Sequence, residues 1–445
     1  MNSLFERKIS SLRKPPVLQE YFDREGEFPE NMPPEKLRRF HGASMKAILS
    51  QAYQSAFYYQ KMSDAGVTPD DFQSLEDLSR LPFTTKDELR GDPWALLACD
   101  KEDIALIQVS TGTTGGEEVY IMYSWEDFYL HELVPGYPSL VPVERGDICF
   151  NALPYEMSSA GLAFHKTFME GCRATVIPAG KGGAYSTPAK SVKMIRDLQP
   201  TVIITTPSWA MYLAETAIEA GFDPASLHLK KMWLTGEGCS SAFRERVEKI
   251  WGTVANFYYG SLECGCIGIE CDAHEGYHIT GGHVFLEIVD PKTGKVLEPG
   301  EIGEIVATCL LRYHTPLLRF RTQDLGYIDP DSCNCGVLLP RFFLRGRLVD
   351  QITIKGVSLS PYYLEDFLMR LPEVGNWYQF MVSSTHDQEL GIRCELALGV
   401  EPSDKLAESL ANKMEYSTGV PCRFEFVDKL SRPTGKIIRV IHSEG

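Results

Sequence analysis

Ser110-Thr111-Gly112-Thr113-Thr114-Gly115 lies between two apolar segments, Ile104 to Val109 and Val119 to Tyr123. Every residue in it is a glycine or carries a hydroxyl. Glycine tolerates positive φ, so successive N–H groups in such a loop can converge into an anion-binding nest. The Ser and Thr hydroxyls add donors for phosphate oxygens. Taken alone, the same six residues would serve equally well as a polar hairpin turn, and the rest of the chain has to decide.

Outward from this loop, residues 103 to 260 alternate short apolar runs with helical stretches. Ala174 to Pro178 and Val202 to Thr205 read as buried strands, and Met232 to Leu234 as another. Ser191 to Leu198, Trp209 to Ala220 and Ser241 to Ile250 read as helices. That alternation predicts an α/β fold with a parallel sheet covered by helices. Upstream, Leu37 to Met62 has the spacing of an amphipathic helix. Thr84-Thr85-Lys86-Asp87-Glu88 has a helix start signal. Downstream the character changes: Val284 to Val289 and Glu304 to Leu310 read as strands around a turn at Pro291 to Lys295, an antiparallel β subdomain over about 283–345. The last hundred residues read as a small α+β domain, with a helix at Tyr362 to Leu371, a strand at Glu395 to Val400 and a helix at Ser403 to Lys413. The expected organisation is a large domain over 1–345 and a small mobile one over 346–445.

A chain of 445 residues with a net charge of −16 and no basic block points away from nucleic acid as its main partner. Met1 to Pro15 has no apolar core of a signal peptide, and no run of apolar residues is long enough to span a membrane. With 12 cysteines and no secretion signal, reduced thiols in a cytoplasmic protein are expected.

Four further stretches follow the hydroxyl–glycine loop in order: Phe257-Tyr258-Tyr259-Gly260-Ser261-Leu262-Glu263, then Arg319-Phe320-Arg321-Thr322-Gln323-Asp324-Leu325. After them come Gly346-Arg347-Leu348-Val349-Asp350 through Lys355-Gly356, and Arg432-Pro433-Thr434-Gly435-Lys436. Together the five resemble the adenylate-forming enzymes: acyl- and aryl-CoA ligases, peptide-synthetase adenylation domains and luciferase. Leu81-Pro82-Phe83-Thr84-Thr85-Lys86, Ala174 to Gly180 and Thr206-Pro207-Ser208-Trp209-Ala210 resemble the phenylacetate–CoA ligase branch. The resemblance covers about residue 40 to the C-terminus.

It implies ATP-dependent activation of a carboxylic acid to an acyl-adenylate, followed by thioester formation with coenzyme A. Ser110, Thr111, Gly112, Thr113, Thr114 and Gly115 would hold the phosphates. Glu263 would hold Mg²⁺, a hard cation that prefers oxygen ligands. Asp324 would accept from the ribose hydroxyls. Tyr259 would cover the adenine, with Gly236, Glu237, Gly260 and Arg347 completing the nucleotide site. Lys436 would bring a compact positive charge to the carboxylate and the α-phosphate. Gly356 would line a pantetheine channel, and a hinge near 347–350 would let the small domain rotate. Four positions depart from the family pattern: Gly116-Glu117 stand where Lys-Pro is usual, Leu262 where Thr is usual, Gln323 where Gly is usual, and Val349 where the hinge carboxylate is usual.

Cys264, Cys266, Cys271, His274 and His278 are followed by Cys333-Asn334-Cys335. The resemblance implies a structural Zn²⁺ on Cys271, His278, Cys333 and Cys335, a donor set suited to a closed tetrahedral site; buried free thiols are the alternative. Cys264 and Cys266 read as core thiols. His274-Glu275-Gly276-Tyr277-His278 matches H-E-x-x-H, which works only on a helix, and Gly276 predicts a turn into a strand instead.

The resemblance implies an acid pocket lined from Asn151 to Gly161, from Pro207 to Met211 and around Gly236, with Tyr155, Glu156, Ser158, Pro207 and Gly236 as its candidate residues. Glu156 and Ser158 predict an aromatic or cyclic acid bearing a polar substituent, unless Glu156 faces solvent. Three alternatives stay open: a CoA ligase; a stand-alone adenylating enzyme that passes the acyl group to a carrier protein or amine; and a catalytically weak nucleotide-binding scaffold. Homodimers occur among such enzymes, and the sequence leaves the oligomeric state open.

Overall fold

The computed structural model of the chain describes residues 28–110, 117–130, 136–157, 160–383, 388–432, 435 and 437–443. Two helices, α1 (Pro34–Ala52) and α2 (Ala56–Asp64), replace the single helix expected over 37–62. Ser55 divides them. Its backbone is extended, and its Oγ accepts from Tyr58 N at 3.2 Å to cap α2. The start signal at Thr85 makes its cap, with Thr85 N and Oγ1 both donating to Glu88 Oε2. Only one 3-10 turn, Glu88–Arg90, follows before Gly91 ends it.

The hydroxyl–glycine loop joins β1 (Ile104–Val109) to β2 (Tyr120–Ser124), an antiparallel pair, and α3 (Trp125–Leu130) follows. Strands and helices then alternate through β3 (Ile148–Ala152), α4 (Ala160–Lys166), β4 (Thr175–Pro178), α5 (Pro188–Leu198), β5 (Val202–Thr205), α6 (Pro207–Glu219), β6 (Lys231–Leu234), α7 (Ser241–Trp251) and β7 (Ala255–Ser261). These strands lie parallel in the order β4-β3-β5-β6-β7. Ala174 to Pro178, read from sequence as buried, forms the edge strand β4, whose side chains are exposed or half-buried because β3 alone pairs with it.

The helices between these strands share a local start. Thr187, Thr206 and Ser240 accept from Lys190 N, Trp209 N and Phe243 N, and Pro188 and Pro207 fill the first helical position. α6 and α7 then bury Trp209, Met211, Leu213, Phe243, Val247 and Trp251 in one core with Ile203, Met232 and Leu234 of β5 and β6. Each such side chain contributes about 1.5–3 kcal/mol, which holds the strand ends where the site forms.

The antiparallel strands are β8 (Gly265–Glu270), β9 (Tyr277–Ile279), β10 (Val284–Val289), β11 (Gly303–Cys309), β12 (Phe320–Asp329) and β13 (Arg341–Arg347). They pair in the order β7-β8-β9-β13-β12-β11-β10, so the strands over 283–345 continue the parallel half in one 11-stranded mixed sheet. The last part of the chain contains β14 (Ile352–Ile354), β15 (Val357–Leu359), α8 (Pro361–Met369), β16 (Val374–Ser383), β17 (Leu390–Leu396), α9 (Asp404–Thr418), β18 (Cys422–Phe426) and β19 (Val440–Ser443). Its sheet runs β18-β17-β16-β19. The strand expected at 395–400 is β17, five residues earlier at its start, because Leu390, Ile392 and Cys394 alternate inward and carry its buried face. Among the described residues no helix is long and apolar enough to cross a membrane.

Candidate functional site

The carboxyl ends of β3, β5, β6 and β7 face one edge of the sheet, where ligands bind in open α/β folds. After β6 the chain turns at Gly236, whose φ of 81° lies in the left-handed region that favours glycine. The turn brings Glu237 under the start of α6. Its Oε2 accepts from Ser208 N at 3.1 Å, and its Oε1 accepts from Ser208 Oγ at 2.9 Å and from Lys181 Nζ at 2.7 Å. Lys181 also donates to Gly435 O at 3.0 Å. Burial works to raise the Glu237 pKa, but Lys181, the Ser208 hydrogen bond and the Arg439 charge outweigh it and hold the carboxyl below its ordinary value.

Asp324 sits on β12 directly opposite Arg347 of β13. Arg347 Nε donates to its Oδ1 at 2.9 Å, and the Tyr259 hydroxyl donates to its Oδ2 at 2.6 Å. Burial pushes the Asp324 pKa up, and the Arg347 charge pulls against it without cancelling it. The Tyr259 ring packs against Phe342 and Tyr277, with centroids 5.5 and 5.9 Å away. Gln323, one residue before Asp324, has a φ of 63°, the backbone a glycine there would adopt without strain.

Glu263 is buried beyond the end of β7, with the Lys86 ammonium 2.9 Å from its Oε1. The buried Arg312 donates to the backbone oxygens of Glu263 and Met122, tying the Glu263 turn to β2. Gly260 precedes it where a Cβ would come 2.1 Å from Gly265 O, so no larger residue fits. At the base of the hydroxyl–glycine segment, Ser110 N donates to Val119 O at 2.9 Å, and Val119 N to Ser110 Oγ at 3.1 Å. The Ser110 side chain thus closes the loop base. Thr111, Gly112, Thr113, Thr114, Gly115, Gly116, Ser158 and Lys436 lie outside the described residues.

On the acid side, Tyr155 follows β3 and Pro207 opens α6. The Tyr155 hydroxyl accepts from Asn151 Nδ2 at 3.0 Å and lies 3.1 Å from His165 Nδ1, and burial pushes its pKa up to about 12. Glu156 is exposed and bends back to accept from Tyr155 N at 3.1 Å. Gly356 is exposed in the turn between β14 and β15.

Cys271, His278, Cys333 and Cys335 come together, their ligand atoms all within 4.8 Å of one another. His278 Nδ1 lies 3.2 Å from Leu339 O, which leaves Nε2 facing Cys335 Sγ at 3.3 Å. Burial lowers the His278 pKa to about 4, so the imidazole is neutral, the form that binds a metal. This soft N/S set fits a tetrahedral Zn²⁺. His274 does not join it: with φ 55° it turns toward Glu248 and Glu270, and Tyr277–Ile279 is a strand, so H-E-x-x-H is not on a helix. Cys264 is a buried core thiol, and Cys266 is half-buried.

Asn151 opens the stretch from which the sequence expects the acid pocket to be lined, whereas Lys86, His165 and Lys181 are not among the candidate site residues of the sequence. Lys86 stood inside the quoted Thr84-Thr85-Lys86 stretch, and Lys181 one residue past Gly180. Nothing in local sequence distinguishes them from surface lysines.

The family model for AMP-binding enzymes matches residues 43–308. A phenylacetate–coenzyme A ligase of Thermus thermophilus is 33% identical over 392 residues, 86% of this chain and 86% of that protein. The chain belongs to the AMP-binding enzyme family, in its phenylacetate–coenzyme A ligase branch. Solved structures of a 2-hydroxyisobutyryl-CoA ligase share this family fold. One in the postadenylation state superposes with a TM-score of 0.87 at 21% identity, covering 97% of this chain and 94% of that one. One in the thioesterification state gives 0.68 at 23% identity, covering 94% and 91%.

Proposed function

We propose that this AMP-binding enzyme joins a carboxylic acid, probed first as phenylacetate, to coenzyme A at the expense of ATP. The acid carboxylate attacks the α-phosphorus, an acyl-adenylate forms and pyrophosphate leaves. The thiol of coenzyme A then attacks the acyl carbon, the thioester forms and AMP leaves. The observation that carries this reading is Asp324, a half-buried carboxylate beside the end of β7, oriented by Tyr259 and Arg347 for a polyol such as ribose.

Glu263 is the residue that would hold Mg²⁺, and bound Mg²⁺ would neutralise phosphate charge. Lys86 beside Glu263 supplies a cation in a chain whose sequence has Gly116-Glu117 where Lys-Pro is usual. Cys271, His278, Cys333 and Cys335 would hold Zn²⁺ in a structural role. For the acid, the half-buried Tyr155 and His165 offer polar groups that suit an aromatic acid with a hydrogen-bonding substituent, with the buried Asn151 holding the Tyr155 hydroxyl from behind.

The test is pyrophosphate release with ATP, Mg²⁺ and a panel of aromatic acids including phenylacetate, with Lys436→Ala as control. Acid-dependent release that the control loses, followed by CoA-dependent release of AMP, supports the proposal. Transfer only to a carrier protein or an amine would replace CoA as acceptor, and no release with any acid would leave a nucleotide-binding scaffold.

A further inference from the structure

We infer that Lys181 is a positioning residue for adenylation: its ammonium ties the backbone just ahead of Lys436 to the turns that follow β4 and β6. The inference rests on the proposed acid activation with Lys436 as its cation.

Lys181 stands in the turn after β4. Ala179 N and Gly180 N both donate to Asn151 O, at 2.9 and 3.1 Å, which fixes that turn to the end of β3. The lysine then runs inward, and its side chain is 2% exposed. A buried ammonium is costly unless its charge is matched and its protons are accepted. Glu237 supplies the charge at 2.7 Å, and is itself held by the N–H and hydroxyl of Ser208. One more acceptor comes from 254 residues further along the chain: Gly435 O, at 3.0 Å.

Neutralising Glu237 does not require that last contact. Its consequence is mechanical. Gly435 is the residue before Lys436 in the chain, so the tie acts on the backbone that leads into it. Lys181 is thus anchored on the large-domain side by a charge pair and on the loop side by a single neutral acceptor. Releasing the loop breaks this hydrogen bond and leaves the buried Lys181–Glu237 pair intact, and the Arg432 guanidinium, 3.4 Å from Glu215 Oε2 of α6, is a second tie that has to part with it. Such a tie favours the first half-reaction and does not oppose the second.

The experiment separates the half-reactions in Lys181→Met and in Lys181→Arg, which keeps the counter-charge for Glu237 and so secures a folded variant. Adenylation is read as ATP–pyrophosphate exchange with whichever acid supports it in the unmodified protein, phenylacetate first. Thioesterification is read from the synthetic acyl-adenylate of that acid and CoA. The expected result is exchange slowed by at least about tenfold and thioesterification within about twofold of the unmodified rate. Amide hydrogen exchange of the ligand-free protein should quicken in the peptide spanning 430–440 in Lys181→Met and change little elsewhere. Equal slowing of both half-reactions, or no slowing and unchanged amide exchange, overturns the inference. If the unmodified protein shows no pyrophosphate exchange with any acid, acid activation itself fails, and the amide exchange still decides whether Lys181 holds the loop.

Discussion

Arg347 Nε meets Asp324 Oδ1 at 2.9 Å because β12 and β13 place the two residues opposite one another, and Tyr259 reaches the other oxygen from β7. Three strands of one sheet therefore orient a single carboxylate. Tyr259 and Arg347 already donate to it, so under the proposed function its remaining lone pairs would be the ones to meet ribose hydroxyls.

Replacing that carboxylate tests the nucleotide site. Asp324→Asn should lower kcat/KM for ATP by about 10- to 100-fold, since hydrogen bonds to a charged group are each worth about 1.5–3 kcal/mol. Burial raises the Asp324 pKa, so the unmodified protein should lose ATP affinity on acidification earlier than a surface aspartate would allow. The sign for stability is opposite to that of function. The native state binds more protons than the unfolded one between the two pKa values, so this group favours the fold as pH falls. The acidic limb of the kcat/KM profile should disappear in Asp324→Asn, and a limb that persists unchanged would refute the assignment.

Glu237 has the reverse behaviour. Its folded pKa is depressed, so its stabilisation is fully present above the unfolded value and is lost as pH falls through the lower folded value. Glu237→Gln leaves Lys181 buried without a counter-charge and should cost about 3–5 kcal/mol at pH 7. Thermal melts of both proteins from pH 7 downward should converge in acid. A constant gap would show that the loss is not electrostatic.

The thiol–imidazole cluster predicts about one zinc per chain by elemental analysis of protein purified without chelator. Cys333→Ser should lower that content sharply and lower the melting temperature, because the loop around 333–335 loses its tie to Cys271 and His278. Full zinc content in the variant, or none in the unmodified protein, would count against the site.

Arg246 on α7 donates to Met369 O, Leu371 O, Val374 O, Gly375 O and Asn376 Oδ1, so one guanidinium gathers the segment between α8 and β16. Arg246→Ala should cost about 2 kcal/mol or more by leaving carbonyls underpaired. It should also speed amide hydrogen exchange across 369–376, read by mass spectrometry. Unaltered exchange there would mean the contact does not restrain the segment.

Much of the architecture is legible in local sequence. Val202–Thr205 and Val284–Val289 are the strands their apolar runs predict, and Thr206-Pro207 starts α6 through a cap and a proline that need no distant partner. Local rules misjudge length and burial. The 37–62 periodicity continues across Ser55, whose cap divides it, and β4 is as apolar as a central strand although it has a neighbour on one side only.

By itself the sequence determined the order of the motifs, the alternation that makes a parallel sheet, and the Cys and His residues at Cys271, His278, Cys333 and Cys335. The alternation follows from residue type and spacing, which act over a few positions, and the Cys and His set follows from the family resemblance of the motifs around it. The tertiary structure alone decided the pairings: Lys86 with Glu263, Lys181 with both Glu237 and Gly435, and the antiparallel strands as one continuous sheet with the parallel ones. The physical reason is that the partner of a buried charge is set by strand order and helix packing. A lysine's sequence neighbours are the same whether its ammonium ends in water or 2.7 Å from a buried carboxylate.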